Sequence, residues 1–390
     1  MRKILAAILV FALTFALVAC GESTPPVSDT ESAGSISETE TDTVSTSAPT
    51  SETDTETEET SSSESEKTDS ETASDTTSEE KEEWEPLKVM DNKVLVSDYA
   101  AKRIIVYDLD LVGEDGNLDD AEVWSLDNAY SASVKYREDT VFGDVILHTA
   151  DYNASIVDYE TKEVIWSAPG VAGWGVHSIE ILPSGNVVTA ANTDGILRMF
   201  NSANGVKNGD KVQYVDYKEV PGAHGVLWDP EYECLWALGA YDLIAYKVID
   251  NGDGTESLQK IGGMGGKLPD GAHGGHDLAA DLLDSRYLWI TSTKVLRFDK
   301  EEGTFSTRYE GNTKLNKNGV KGFGNNLNEN YIYTQSKHDD SAWLSAGNEG
   351  YTTDTIVFGY WKSENFLYLK KCVSDGAQFY KARVFYGKYQ

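Results

Sequence analysis

The chain has 390 residues, 65 of them acidic and 33 basic, for a formal net charge of −32. That balance excludes nucleic acid as a partner, because neutralising phosphates takes clustered Lys and Arg. Three cysteines in such a length exclude a disulfide-stapled scaffold.

Met1-Arg-Lys and the apolar run Ile4 to Val18 read as an export leader too short to span a bilayer. Leu17-Val-Ala-Cys20 has the form of a bacterial lipobox. Residues 1–19 are therefore expected to be cleaved as a lipoprotein signal peptide, with Cys20 lipidated and holding the chain on the extracellular face of a cell membrane. The competing reading is an ordinary secretory peptide that contains a cysteine.

Residues 20–84 are Ser, Thr, Glu and Asp with almost nothing apolar, and between Gly21 and Trp84 stand 20 acidic and 2 basic residues. Such a segment cannot bury enough surface to offset its ordering entropy, and like charges keep it extended. It predicts a disordered stalk, with a metal-buffering or partner-binding acidic arm as the alternative.

Residues 85–390 suffice for one large domain. Short β runs separated by Gly, Asn, Asp and Pro follow one another, and no convincing amphipathic helix appears. Triplets of apolar-aromatic-polar form, with Val157, Arg297 and Gly359 as departures from it, recur at Val106-Tyr-Asp108, Ile156-Val-Asp158, Met199-Phe-Asn201, Ala245-Tyr-Lys247, Arg297-Phe-Asp299 and Val357-Phe-Gly359, spaced 50, 43, 46, 52 and 60 residues apart. This recurrence predicts an all-β, six-bladed β-propeller, a monomer, in which circular closure removes exposed sheet edges. A seven-bladed ring is the alternative, and a β-sandwich would leave the recurrence unexplained.

Blade one is assigned to Val94–Ser97, Ile104–Tyr107 and Glu122–Leu126, and blade two to Val145–Thr149, Ser155–Tyr159 and Val164–Ser167. Blades three, four and five begin at hairpins headed by His177, His224 and His276. Blade six runs from about Phe323 through Tyr331–Gln335 and Thr355–Phe358 to a last strand near Phe379–Phe385. The tryptophans Trp124, Trp166, Trp228, Trp236 and Trp289 are expected between blades. Cys234 and Cys372 fall in different repeats and are expected as buried free thiols.

In a propeller, the loop entering the first strand and the loop from second to third strand emerge on one face. His177, His224 and His276 should ring the channel mouth there as catalytic or metal-holding candidates. The second-to-third loops add Asp98, Arg103, Asp151, Asn153, Asn192, Tyr241, Lys294 and His338 as binding candidates, with His148, His273 and Asn325 nearby and Trp174 as a sugar-stacking surface. The alternative for each histidine is structural: a polar residue at this position can hydrogen-bond a neighbouring blade and hold the ring closed.

Neutral imidazoles across a channel could hold a divalent metal or act as general bases, and Lys102, Arg103, Lys294 and Lys321 could neutralise a carboxylate or sulfate. No serine-elbow, zincin or phosphate-loop motif is present. Gly222-Ala-His-Gly-Val-Leu-Trp-Asp-Pro230, Leu235-Trp-Ala-Leu-Gly239 and His177-Ser-Ile-Glu-Ile-Leu-Pro-Ser-Gly-Asn186 resemble an uncharacterised family of secreted bacterial six-bladed propellers, a domain of unknown function. The likeness spans residues 90 to 388 and implies the fold but no activity. The His177 hairpin is also similar to one in arylsulfate sulfotransferase-like propellers, where histidines line the channel.

Three functions remain open at this point. The first is binding of a glycan at the histidine mouth, with or without processing by lyase or hydrolase chemistry. The second is a non-enzymatic scaffold for a protein partner, and the third a metal-dependent, lactonase-like hydrolase drawing ligands from Asp98, Asp151, Asn192 and Asn325.

Overall fold

A computed structural model of the chain describes residues 92–129, 131–149, 153–168, 175–193, 195–202, 213–336 and 350–389. The expectations for the leader, Cys20, the stalk, Asp151, Trp174 and His338 lie outside the described residues.

Strands β1 (Lys93–Asp98), β2 (Arg103–Asp108) and β3 (Glu122–Asp127) lie side by side, and β4 (Val134–Thr140), β5 (Gly143–His148), β6 (Ala154–Asp158) and β7 (Val164–Ala168) form the next sheet. A third sheet holds β8 (Val176–Ile181), β9 (Val187–Ala191), β10 (Ile196–Phe200) and β11 (Tyr214–Tyr217). A fourth holds β12 (Gly225–Asp229), β13 (Cys234–Leu238), β14 (Asp242–Asp250) and β15 (Glu256–Lys267). The fifth is β16 (Asp277–Ala280), β17 (Tyr287–Thr291), β18 (Val295–Asp299) and β19 (Thr304–Ser306). The sixth is β20 (Val320–Asn325), β21 (Tyr331–Gln335), β22 (Thr355–Ser363) and β23 (Phe366–Val373). The final strand, β24 (Phe379–Val384), returns to the first sheet, pairing Leu95 with Arg383 and Val96 with Ala382.

The inner strands β4, β8, β12, β16, β20 and β24 touch their neighbours in turn around a closed circle, so the domain is a six-bladed propeller. The ring is locked by a C-terminal strand that supplies the innermost position of blade one. This corrects the expectation that the last strand completes blade six, whose outer strand is β23.

All six triplets, five of them with an aromatic at the centre, fall on third strands. The middle strands are largely apolar because both faces are covered, as in Val187-Val-Thr-Ala-Ala191 of β9, buried at every residue. One apolar cluster fills each blade interface. On β13, Cys234, Trp236 and Leu238 face blade five while Leu235 and Ala237 face blade three, the alternation a strand dictates. Each fully buried Leu, Ile or Val there contributes about 1.5–3 kcal/mol. Trp166, Trp228, Trp236 and Trp289 are buried in these interfaces, and Trp124 stacks on Tyr159 at 5.2 Å between blades one and two. Cys234 and Cys372 are buried free thiols.

Candidate functional site

Each histidine hairpin enters its blade through a Gly-x-His step. Gly222 has φ +64, and a Cβ there would lie 2.8 Å from that of Ala240. Only glycine takes this conformation cheaply. The turn aims the Gly222 carbonyl at His224 Nδ1, 2.7 Å away. Gly175 repeats the contact with His177 Nδ1 at 2.7 Å, and a Cβ on Gly175 would stand 3.0 Å from the imidazole. A carbonyl only accepts, so Nδ1 carries the proton in both rings and Nε2 keeps its lone pair. His276 departs from the pattern. Its Nε2 lies 3.0 Å from the Lys321 ammonium, which donates to it, and its buried Nδ1 has no hydrogen-bond partner among the described residues.

The three rings form one arc across blades three, four and five. His177 and His224 are 4.4 Å apart between centroids, and His224 and His276 are 5.5 Å apart. They meet one another instead of entering separate blade interfaces. Burial pushes the His177 imidazole down to about 4 and those of His224 and His276 well below their ordinary value, reinforced at His276 by Lys321 and Lys381. All three rings are neutral at pH 7.

Blade one completes the mouth through β24. Tyr380 stands 6.4 Å from His177. The buried Lys381 ammonium is 3.5 Å from Asp277 and makes no hydrogen bond among the described residues. Burial lowers it to about 8, with Asp277 opposing. Beside it Tyr99, Tyr351 and Tyr380 pack mutually edge-on at 5.6 to 6.3 Å, and Tyr351 remains 47% exposed.

The other expected site residues are placed less centrally. His148 is buried at the end of β5 with Nδ1 unpartnered among the described residues, and burial pushes it to about 4, but no ring contact joins it to the arc. Asp98 Oδ1 accepts from the backbone N–H of Ala100, Ala101 and Gln378, a turn-fixing role. Arg103 is taken up by Glu122, Asp127 and Ser125. Lys294 donates to the Asp270 carbonyl at 3.1 Å, within its own blade's loops. Asn192 bonds Gly175 through its backbone, while Asn153, Tyr241 and His273 lie exposed on loops of this face. Asn325 is a correction. It ends β20 at the opposite end of the channel, bonding Asp281 at 2.6 Å and the Leu282 N–H at 3.0 Å.

The metal expectation is not met by the geometry. Among the described residues no group of three or more His, Cys, Asp or Glu is placed to hold an ion. The Nε2 lone pair of His276 is committed to Lys321. Asp98 and Asn325, wanted as lactonase-type ligands, are engaged in turns at separate places.

Lower in the channel stand charged residues outside the set expected for the site. Lys135-Tyr-Arg137 and Lys381-Ala-Arg383 share a K-x-R pattern on inner strands, which puts both cations of each pair on one face. Glu180, fully buried, takes Lys135 at 3.0 Å and Arg137 at 2.7 Å, and Lys135 also donates to the Val226 carbonyl. Asp277 takes Arg383. On β24, charged residues at alternate positions of an otherwise largely apolar strand are the signal that could have found Lys381 and Arg383; β4, VKYREDT, offers no such contrast for Lys135 and Arg137.

The fold and the site together define a six-bladed β-propeller with a histidine-lined mouth. No family model matches the chain, and no curated protein matches it. Similar solved structures include a Bacteroides caccae protein of unknown function, 13% identical over 74% of this chain and 97% of that one, with a TM-score of 0.47. A nidogen/laminin complex is likewise 13% identical over 74% and 97%, at a TM-score of 0.46. A proposed 6-phosphogluconolactonase of Bacteroides fragilis is 12% identical over 75% and 97%, at 0.45.

Proposed function

We propose that this chain is a lipoprotein, anchored through Cys20 on the outer face of a cell membrane, whose histidine mouth binds an anionic glycan. The observation that carries the reading is the arc of three neutral imidazoles flanked by the ammonium groups of Lys321 and Lys381. Glycan hydroxyls donate to Nε2 of His177 and His224, and a uronate carboxylate or a sulfate faces the two lysines. The Tyr99, Tyr351 and Tyr380 cluster offers aromatic faces to the apolar side of a sugar ring. Imidazoles lowered by burial, to about 4 at His177 and well below the ordinary value at His224, suit hydrogen-bond acceptance better than general-base work, which wants a value near the working pH.

Binding of uronate-bearing, sulfated and neutral polysaccharides to the purified protein tests this. Charged glycans should bind, with at least tenfold loss in His224→Ala and Lys381→Met. Equal binding of neutral glycans, or unchanged affinity in both variants at native fold, refutes the assignment. For the anchor, Cys20→Ser should abolish fatty-acid labelling and release the protein into the medium; labelling that persists in Cys20→Ser refutes it. A rim-binding scaffold is the second reading, favoured by the exposed Phe366 and Tyr368 on the outermost strand of blade six. It predicts partner binding lost in Phe366→Ser and untouched in His224→Ala.

A further inference from the structure

A groove of about 370 Å³ opens between the β1–β2 loop and the connection from β23 to β24, and none of the histidines lines it. Its floor is largely apolar, made by the buried Ile105, Tyr107 and Ala377. Its walls carry four carboxylates, Asp98, Asp119, Glu122 and Asp375, and a single cation, Arg103. Arg103 is taken up by Glu122 and by Asp127 beyond the groove. Asp98, Asp119 and Asp375 have no ion-pair partner among the described residues.

Asp98 is only 5% exposed, and its two oxygens are used unequally. Oδ1 accepts from the backbone N–H of Ala100, Ala101 and Gln378, whereas Oδ2 accepts from nothing among the described residues. A carboxylate buried to this degree with one oxygen unmet is costly unless a donor reaches it. Unlike the sealed, unpartnered atoms of the channel, Oδ2 keeps accessible surface, and the side chain lines the groove. Nearby, Asp119 takes the Ser374 hydroxyl at 3.2 Å, and Asp375 stands exposed at the rim.

A metal ion does not suit the groove, since no three of these carboxylates are placed to hold one, and a guest the size of one water fills only about 10–15 Å³ of such space. An anion would face three carboxylates with the single lining cation already engaged. We infer that the groove is a second binding site, independent of the mouth, for an aliphatic diamine or a longer polyamine. One ammonium group donates to Asp98 Oδ2, another faces Asp119 and Asp375, and the methylenes between them lie on Ile105 and Tyr107.

Calorimetric titration of the full chain at fixed ionic strength tests this with cadaverine, with the uncharged pentanediol of the same chain length, and with calcium chloride as competitor. Cadaverine should bind saturably, pentanediol should not bind, and calcium should not displace cadaverine. Asp98→Asn keeps an oxygen for the three backbone N–H groups and replaces Oδ2 by a donor, so it should weaken cadaverine about tenfold or more. The exposed Asp375→Asn should weaken it by about threefold. His224→Ala should leave it unchanged, and so should Asp253→Asn, which removes the same charge from the β14–β15 turn of blade four. The inference is overturned if cadaverine shows no saturable binding, if pentanediol binds as well or calcium displaces cadaverine, if natively folded Asp98→Asn binds like the parent, or if Asp253→Asn loses as much as Asp98→Asn. Should Asp98→Asn fail to fold, Asp375→Asn decides, and parent-like affinity there overturns the inference. Loss of cadaverine binding in His224→Ala would overturn the independence of groove and mouth.

Discussion

At the mouth of the channel, His177, His224 and His276 meet burial by giving up their protons. At the far end Arg137 and Glu180 stay ionised and meet it by pairing, while burial brings their neighbour Lys135 down to about 7, with Glu180 opposing. Burial pushes Glu180 up, but Arg137 and Lys135 outweigh that and hold it at about 2. Desolvating an ion costs several kcal/mol, which only close partners offset, whereas a neutral imidazole needs only hydrogen bonds. A site built of neutral groups can therefore exchange a ligand without leaving an unpaired charge.

Removing the carboxylate at the centre of the paired end breaks the comparison most severely. Glu180→Gln leaves the Arg137 guanidinium buried without its counter-charge, and should cost about 3–5 kcal/mol in denaturant unfolding. His224→Gln at the mouth removes a neutral ring with one carbonyl bond, and should cost about 1 kcal/mol. Equal losses would mean the two ends do not differ as described.

Acid separates the ends more finely. The folded-state values of His148 and His177 lie near 4, below the ordinary 6.5, and those of His224 and His276 lie well below 6.5 too. Below pH 6.5 the unfolded chain therefore binds protons that the folded one refuses. Stability should fall as pH drops from 6.5 towards 4, by up to about 1.4 kcal/mol per pH unit for each histidine. Glu180 acts in a lower window: its contribution is complete above pH 4.5 and is lost as pH falls towards 2. A melting-temperature profile against pH should show two descents, the upper one shallower in His224→Gln and the lower one in Glu180→Gln. A single descent that neither variant alters would remove the distinction.

The arc itself was legible in the sequence, because Gly-x-His recurs at one place in three hairpins and propeller topology sends those entries to one face. The six blades followed from the aromatic triplets, which mark third strands whose faces are both covered. What stayed hidden depended on distant pairing. Nothing local to Phe379–Val384 says whether it joins blade six or returns to blade one, and that choice brings Tyr380, Lys381 and Arg383 into the channel. Asn325 was misplaced for a smaller reason: β20 begins at Val320, before the start expected near Phe323, so a residue read as lying at the entry ends the strand. Lys135 and Arg137 carry no local signal, because β4, the inner strand that holds them, has few apolar residues of its own.

The smallest expected effect separates a cation that is spent from one that is held ready. Arg103 and Lys381 both belong to blade one, and only Arg103 was anticipated in the site. Arg103 forks onto Glu122 at 2.6 Å and Asp127 at 2.8 Å on the part-exposed outer part of its blade, where such pairs contribute less than about 1 kcal/mol. Lys381 is buried beside the histidines with a single carboxylate at 3.5 Å. Arg103→Gln should therefore shift the unfolding midpoint barely and leave affinity for an anionic glycan unchanged, in contrast to the tenfold loss in Lys381→Met. If Arg103→Gln weakened glycan binding as much as Lys381→Met does, the ligand would have to reach the groove between Arg103 and Glu122. The anion would then be read by the second-to-third loop of blade one, with the imidazole arc left to hold the ring together.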